Sequence, residues 1–263
     1  MIKKTLLSII LFILVGIINV NAQEKTAEEL AKMAQNPLAN MMSFPLQDNT
    51  TFGNGPNSDR TSNVLNIQPV LPFFNGHLIT RTIIPVVSTP DYTKESGATT
   101  GIGDINMSLF YSPTSKNGLT WGIGPVFVIP TGSDVSSHKF SPGVTFLLLK
   151  MSKRFVYGFL VSNVWSVAGN DDYSDVNSFL GQYFINLNFP KGWYLSSAPI
   201  ITANWKADSG QQWVVPFGGG GGKVVRLGKI PFNLQAQFFY NAVRPDNYGS
   251  FSTRFQIQMM LPK

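Results

Sequence analysis

The 263-residue chain contains no cysteine, only two histidines, and few charged residues, which make up 13% of the sequence. Without cysteine the chain has neither a disulfide framework nor a reactive thiolate. Lys, Glu and Asp normally cover a surface that faces water, and charged residues reach only about half their usual share in soluble domains. Their scarcity indicates that much of the surface does not face water.

Beyond its N-terminal segment the sequence also lacks any apolar run close to the roughly 20 residues of a membrane-spanning helix. The one long apolar run, residues 6–18, follows Lys3 and Lys4 and precedes a small-residue site before Gln23. This is the order of a secretory signal peptide, so we predict that residues 1–22 are removed on export. An N-terminal anchor is the alternative, and the missing cysteine excludes a lipid-anchored N-terminus.

Patterns for cofactors, metals and nucleic acid are missing as well. The net charge is +6, but the basic residues are scattered singly, so no nucleic-acid site is expected. The glycine run 218–222 is not followed by the Lys-Ser/Thr pair of a phosphate loop. His77 and His138 fall in different connections and are not expected to share a metal. We predict no cofactor, no metal and no catalytic residues; an outer-membrane hydrolase is a further alternative.

Residues 23–40 contain the one clear helix pattern. Thr26 and Glu29 make a capping box, in which each side chain satisfies a free backbone N–H at the helix start. Leu30 and Met33 lie on the apolar face of this short helix, which needs a docking surface to be stable. Two interpretations are open: a plug or gate at the mouth of a barrel, or a loosely held periplasmic leader.

From residue 41 onwards, apolar and polar residues alternate, which is typical of strands with two unlike faces. In the last segment one parity is apolar apart from a threonine: Phe251, Thr253, Phe255, Ile257, Met259 and Leu261. Twelve such segments are expected near residues 41–52, 62–73, 76–88, 101–113, 118–130, 141–151, 154–167, 176–190, 192–206, 211–225, 230–243 and 250–261.

The connections between these segments alternate in length. Short turns on one rim and longer polar loops on the other are the pattern of outer-membrane barrels, whose short turns are periplasmic. Counting back from the C-terminus requires one more ascending strand, which residues 41–52 supply. The prediction is an all-β fold: a twelve-stranded antiparallel transmembrane β-barrel over residues 41–263, preceded by a short helix. A soluble β-sandwich is the competing fold.

Strand parity divides the residues into two faces. Tryptophans near strand ends are expected in the aromatic girdles of the membrane: Trp121, Trp193 and Trp205. The inward face is expected to line the lumen with neutral amides and three charged residues: Asn66, Gln68, Arg81, Asp104, Asn106, Gln182, Asn186, Asn204, Asn233, Gln235, Gln237, Arg254 and Gln256. The charged residues Arg81, Asp104 and Arg254 are expected to pair with one another. Alternatively, all these groups only fill a narrow bore.

A family resemblance rests on several motifs spread over the mature chain. They are Asn36-Pro37-Leu38-Ala39 with Ser43 to Gln47, Leu65 to Pro72 with Ile83-Ile84-Pro85, Thr100 to Ile105, Tyr111-Ser112-Pro113, Gly122 to Pro125, Pro130-Thr131-Gly132, Gly192-Trp193-Tyr194, Ile201 to Trp205 and Val215 to Gly220. Together they resemble bacterial outer-membrane transporters of the MetA-pathway phenol-degradation type, often mislabelled "neuromedin U". The resemblance implies a barrel associated with catabolism of aromatic compounds. The C-terminal residues Met260 to Lys263 depart from barrels that end in an aromatic residue.

The sequence thus predicts an outer-membrane protein that allows passive uptake of small uncharged or hydrophobic, aromatic solutes through an amide-lined lumen. Its expected partners are outer-membrane lipid, a small-molecule solute and the barrel-assembly machinery; the oligomeric state is not set by the sequence. The alternative is a closed structural barrel, or one whose loops bind partners, without transport.

Overall fold

The structure, a computed structural model, describes residues 25–91, 97–113 and 117–262; the predicted signal peptide lies outside them. It consists of one α-helix followed by strands. Helix α1 is Ala27–Ala34. The strands are β1 (Met41–Asn54), β2 (Arg60–Ile67), β3 (Val70–Phe73), β4 (Leu78–Pro90), β5 (Ala98–Ile102), β6 (Ile105–Tyr111), β7 (Leu119–Ile129), β8 (Lys139–Met151), β9 (Phe155–Trp165), β10 (Ala168–Gly169), β11 (Asn177–Asn188), β12 (Trp193–Ser197), β13 (Ile200–Asn204), β14 (Trp213–Leu227), β15 (Ile230–Val243) and β16 (Phe251–Pro262).

These segments form a closed antiparallel barrel of twelve strands. Three barrel strands are each interrupted once, so that β2 continues as β3, β5 as β6, and β12 as β13. Pro69 and Pro199 lie at two of these breaks, where they lack the N–H that a ladder requires. The short β10 is an addition beside β8.

The barrel closes because the first and last strands pair. The register runs from Met41 opposite Pro262 to Phe52 opposite Phe251, which leaves neither strand as a free edge. The predicted twelve-stranded barrel, with residues 41–52 inside its first strand, is therefore confirmed.

Connections at the two rims differ in length, as predicted. One rim carries tight turns, including the short 3-10 turns Phe74–Gly76 and Pro190–Gly192. Asn75 and Lys191 adopt positive φ angles of 57° and 62° there, which lets the chain reverse within a few residues. The opposite rim carries longer connections, such as residues 166–176 and 244–250.

The two faces of the wall are chemically distinct. On β16, Phe255 and Ile257 are 49% and 53% exposed on the outer face, whereas Arg254 and Gln258 are 6% and 5% exposed toward the interior. The strands therefore present apolar side chains outward and bury most polar ones, the reverse of a soluble sandwich. Among the residues that the structure describes, no helix has the length and apolarity to span a membrane.

Candidate functional site

The interior of the barrel contains a cavity of about 130 Å³. The segment from the end of helix α1 to the start of β1 forms one side of it, through residues 34–37, Ala39 and Met41. Inward-facing side chains of the strands form the rest. Because strand side chains alternate between the two faces, the cavity wall is built from every second residue of each strand.

Eight of the thirteen residues that parity assigns to the lumen line this cavity: Gln68, Arg81, Gln182, Asn186, Asn233, Gln235, Arg254 and Gln256. Gln237 is fully buried, and its Oε1 accepts a hydrogen bond from Arg254 Nη1 at 3.3 Å. Asn66 lies opposite the inward-facing Gln47, and Asn106 lies opposite Ile83, two residues from Arg81, so both have inward parity. Neither of them lines the cavity. Asn204 is exposed at the end of β13.

The amides of one wall bond to each other and to neighbouring hydroxyl groups. Tyr194 donates its hydroxyl to Asn233 Oδ1 at 2.7 Å, and Asn233 Nδ2 donates to Gln258 Oε1 at 3.2 Å. Gln237 Nε2 donates to Ser196 Oγ at 3.0 Å. These bonds satisfy polar groups that would be costly to bury alone, and they hold the wall rigid.

Two arginines project into the same cavity. Arg81 donates from Nη2 to Gln68 Oε1 at 2.7 Å. Arg254 donates from Nε to Asn49 Oδ1 at 3.0 Å and from Nη1 to the carbonyl oxygen of Ala198 at 2.8 Å. These acceptors, and Gln237 Oε1, are all neutral oxygens, so they fix the guanidinium groups in place without neutralising them.

The predicted pairing of Asp104 with these arginines is wrong. Asp104 lies in the break between β5 and β6 and accepts hydrogen bonds from Ser136 Oγ at 2.5 Å and Ser137 N at 3.0 Å. Strand parity could not exclude the pairing, because parity gives the face of a residue but not its height along the barrel axis. The carboxylate therefore orders the connection between β7 and β8 instead.

The sequence also failed to predict that a second wall of the interior is apolar. The buried residues of this wall form one cluster: Leu38, Val70, Ile79, Phe110, Leu147, Leu149, Val156, Leu160 and Phe184. A signal was present in the run 144–149, where both parities of β8 are mostly apolar. One apolar parity of β8 lies on the outer face, where Val144 is 59% exposed, so the other places apolar side chains inside the barrel. The lumen is therefore amide-rich on one side and apolar on the other.

The N-terminal segment runs between these two regions of the interior. Leu30 and Ala31 are fully buried against a cluster that includes Met41, Tyr194 and Met260. Met33 packs against the same cluster. A few residues further on, Leu38 belongs to the apolar wall of the other side. The segment that the sequence singled out as a plug or a leader is thus packed inside the rim with the short turns.

Polar contacts anchor the same segment. Gln35 and Asn188 exchange two side-chain hydrogen bonds of 2.8 and 3.1 Å. The Glu28 carboxylate accepts from the backbone N–H of Lys191 in the turn Pro190–Gly192. Hydrogen bonds from its own backbone N–H and from that of Lys191 lower the pKa of Glu28 below its usual value. The capping box of Thr26 and Glu29 is present as predicted.

Gly222, in the glycine run of β14, provides space for a side chain that supports the helix. A Cβ atom at this position would lie 2.3 Å from both Cζ and Oη of Tyr194. Tyr194 can therefore lie flat on the wall, where it contacts the buried face of α1. Close approach of a neighbouring group is one of the reasons for glycine inside a strand.

The three predicted girdle tryptophans lie on the outer face, exposed by 37% at Trp121, 52% at Trp193 and 39% at Trp205. Trp193 begins β12 beside a short turn, and Trp205 follows β13 at the opposite rim. The ring N–H of Trp205 donates to Asn163 Oδ1 at 2.8 Å. Each ring thus lies near a rim, with its apolar surface outward.

The two histidines lie in connections at opposite rims of the barrel. His77 follows the turn Phe74–Gly76, and His138 precedes β8, with its ring stacked on Tyr173 at 3.9 Å. Within residues 25–91, 97–113 and 117–262, no three His, Cys, Asp or Glu residues form a group able to hold a metal ion.

The fold and its polar interior define a closed β-barrel of the outer-membrane type. Among solved structures, the COG4313 outer membrane channel from Pseudomonas putida F1 matches with a TM-score of 0.59 and 14% identity, over 84% of this chain and 94% of the channel. The NanC porin matches with a TM-score of 0.56 and 7% identity, over 84% of this chain and 100% of the porin. Comparison of the sequence with protein-family profiles and with curated proteins found no match.

Proposed function

We propose that the protein is an outer-membrane channel through which a small solute diffuses passively, and that residues 23–40 control its periplasmic mouth. The observation that carries the proposal is the polar cavity inside a closed barrel, bounded on one side by residues 34–41. The apolar outer face and the tryptophans near both rims support a membrane location. The names of the two similar barrels, a channel and a porin, agree with this function.

The apolar wall supports a solute with a hydrophobic or aromatic part. Leu160 and Phe184 belong to this wall and also line the cavity, together with amides such as Gln235 and Gln256. A solute that contacts both walls would bury its apolar surface against one and form hydrogen bonds with the other. The resemblance to transporters associated with aromatic catabolism favours the same class of solute.

The gating role of the N-terminal segment can be tested with a tether. The chain has no cysteine, so the double variant Gln35→Cys and Asn188→Cys would carry the only two thiols, at positions whose side chains touch. We expect a short thiol crosslinker to hold the segment in the bore and to abolish solute flux into liposomes. A cleavable linker should restore flux on reduction.

The single variant Gln35→Cys, treated with the same crosslinker, is the matched control and should keep its flux. Flux that is unchanged by the tether would contradict the gating role. No flux from any variant, including one that lacks residues 23–40, would show instead a closed structural barrel.

A further inference from the structure

Among the residues that the structure describes, Arg81 and Arg254 are the only charged residues that line the cavity, and no carboxylate lines it with them. Arg254 also lies over the ring of Phe239, 5.1 Å from the centroid. Two like charges therefore border one cavity, and no acidic group among the described residues that line this cavity offsets them.

Both arginines have N–H donors left over. Each guanidinium has five N–H donors; Arg81 uses only those of Nη2, and Arg254 those of Nε and Nη1. His138 Nε2 is the sole fully buried side-chain polar atom without a partner among the residues described. The remaining guanidinium nitrogens therefore keep some accessible surface, and both arginines line the cavity.

Two unpaired guanidinium charges in a confined cavity lower the stability of the protein unless a ligand of opposite charge binds there. A charge in a confined interior loses hydration, and the usual compensation is an opposite charge. Here Gln68 and Asn49 supply neutral oxygens, which orient the guanidinium groups while leaving their charge available. Planar guanidinium forks match the oxygens of a carboxylate, and rings of Arg or Lys favour anions in pores.

We propose that Arg81 and Arg254 form an anion site that makes the lumen selective for small organic carboxylates with an apolar part. The carboxylate would bind the free N–H groups of both arginines, while Leu160 and Phe184 contact the apolar part. The inference rests on the proposed function, and it replaces the uncharged solute expected from the sequence with an anionic one. The neutral amides among the other lumen residues suggested an uncharged solute. The two arginines, however, line the same cavity, so a solute inside it meets both positive charges.

The test compares flux of benzoate with that of benzamide, its uncharged analogue of similar shape, into vesicles at pH 7.5, after subtraction of empty vesicles. For the mature protein we expect benzoate to pass about tenfold faster, since hydrogen bonds to charged groups have free energies of that order. The double variant Arg81→Gln and Arg254→Gln should lose this preference and keep its benzamide flux. Removal of an outward-facing charge by Lys223→Gln should change neither rate.

Two further measurements keep the outcome decisive. In the native protein the preference for benzoate should fall as salt approaches about 1 M, where the Debye length is about 3 Å. Arg81→Lys with Arg254→Lys keeps both charges and should retain part of the preference, which guards against a folding defect in the Gln variant. Benzamide flux with no faster benzoate flux would overturn the anion site alone. The absence of both fluxes, with and without residues 23–40, would overturn the proposed function and this inference together.

Discussion

At the scale of single residues, the interior depends on close fits that a methyl group can disturb. Gly222 is the clearest case, because Tyr194 occupies the space where its Cβ would lie, and the carbonyl oxygen of Leu234 is only 2.6 Å from that point. Tyr194 is 2% exposed and its hydroxyl is bonded to Asn233. A Cβ atom at position 222 would therefore require either the buried Tyr194 ring or the backbone of Leu234 to move.

We therefore expect Gly222→Ala to destabilise the barrel by about 1–3 kcal/mol, as overpacking of a well-packed interior does. Urea unfolding in detergent, followed by tryptophan fluorescence, would measure the change in free energy. Gly221→Ala is the matched control, since its Cβ would face outward and make one tight contact, 3.0 Å from the Tyr194 carbonyl oxygen, which we expect to cost less. Equal stability of the two variants would show that Tyr194 is not packed on Gly222.

At the scale of elements, helix α1 is short and its position depends on a few named contacts. Its eight residues carry a capping box and two fully buried side chains. Such a helix has little stability alone, so docking against Tyr194 and Met260 must supply the rest. The Glu28 carboxylate adds an anchor to the backbone of Lys191 that depends on its charge.

This anchor makes docking of the helix sensitive to acid. The pKa of Glu28 is lowered in the folded protein, so the stabilisation is present above the ordinary value of 4.5 and is lost as the pH falls through the lower, folded pKa. We expect a spin label on Lys32→Cys to become mobile at acid pH. In the Glu28→Gln variant, the rise in label mobility on acidification should be smaller or begin at a different pH. The same pH profile of mobility with and without this substitution would exclude Glu28 as the anchor.

At the scale of the whole molecule, an apolar belt between aromatic rims predicts a definite position in a bilayer. Phe255 lies on the outer face near the middle of β16, whereas Trp193 and Trp205 lie near the two rims. Amphipathic aromatic rings prefer the headgroup level, and the apolar belt of such barrels is about 25 Å tall.

Variants that retain only Trp193 or only Trp205 should be quenched more by lipids brominated near the headgroup than by lipids brominated near the bilayer centre. In a tryptophan-free background, Phe255→Trp should show the reverse order. A deep position for either native tryptophan would mean that the belt is displaced or tilted relative to the rims.

Local patterns in the sequence determined most of the architecture. Side chains alternate with a period of two in any strand, so the two faces followed from parity. The strand count and the need for residues 41–52 followed from the alternating lengths of the connections. The capping box of α1 is equally local, because it joins residues three apart. Closure then followed from the even number of strands and the alternating connections.

Only the tertiary structure decided which inward residues meet. Tilt and stagger of the strands set their heights along the axis, and these placed Asp104 beside Ser136 rather than beside the arginines. The same long-range geometry brought Arg81 and Arg254 to one cavity and Leu38 to the apolar wall. The sequence by itself determined a barrel with a polar lumen; three-dimensional packing decided that this lumen has an apolar wall and two unpaired cations.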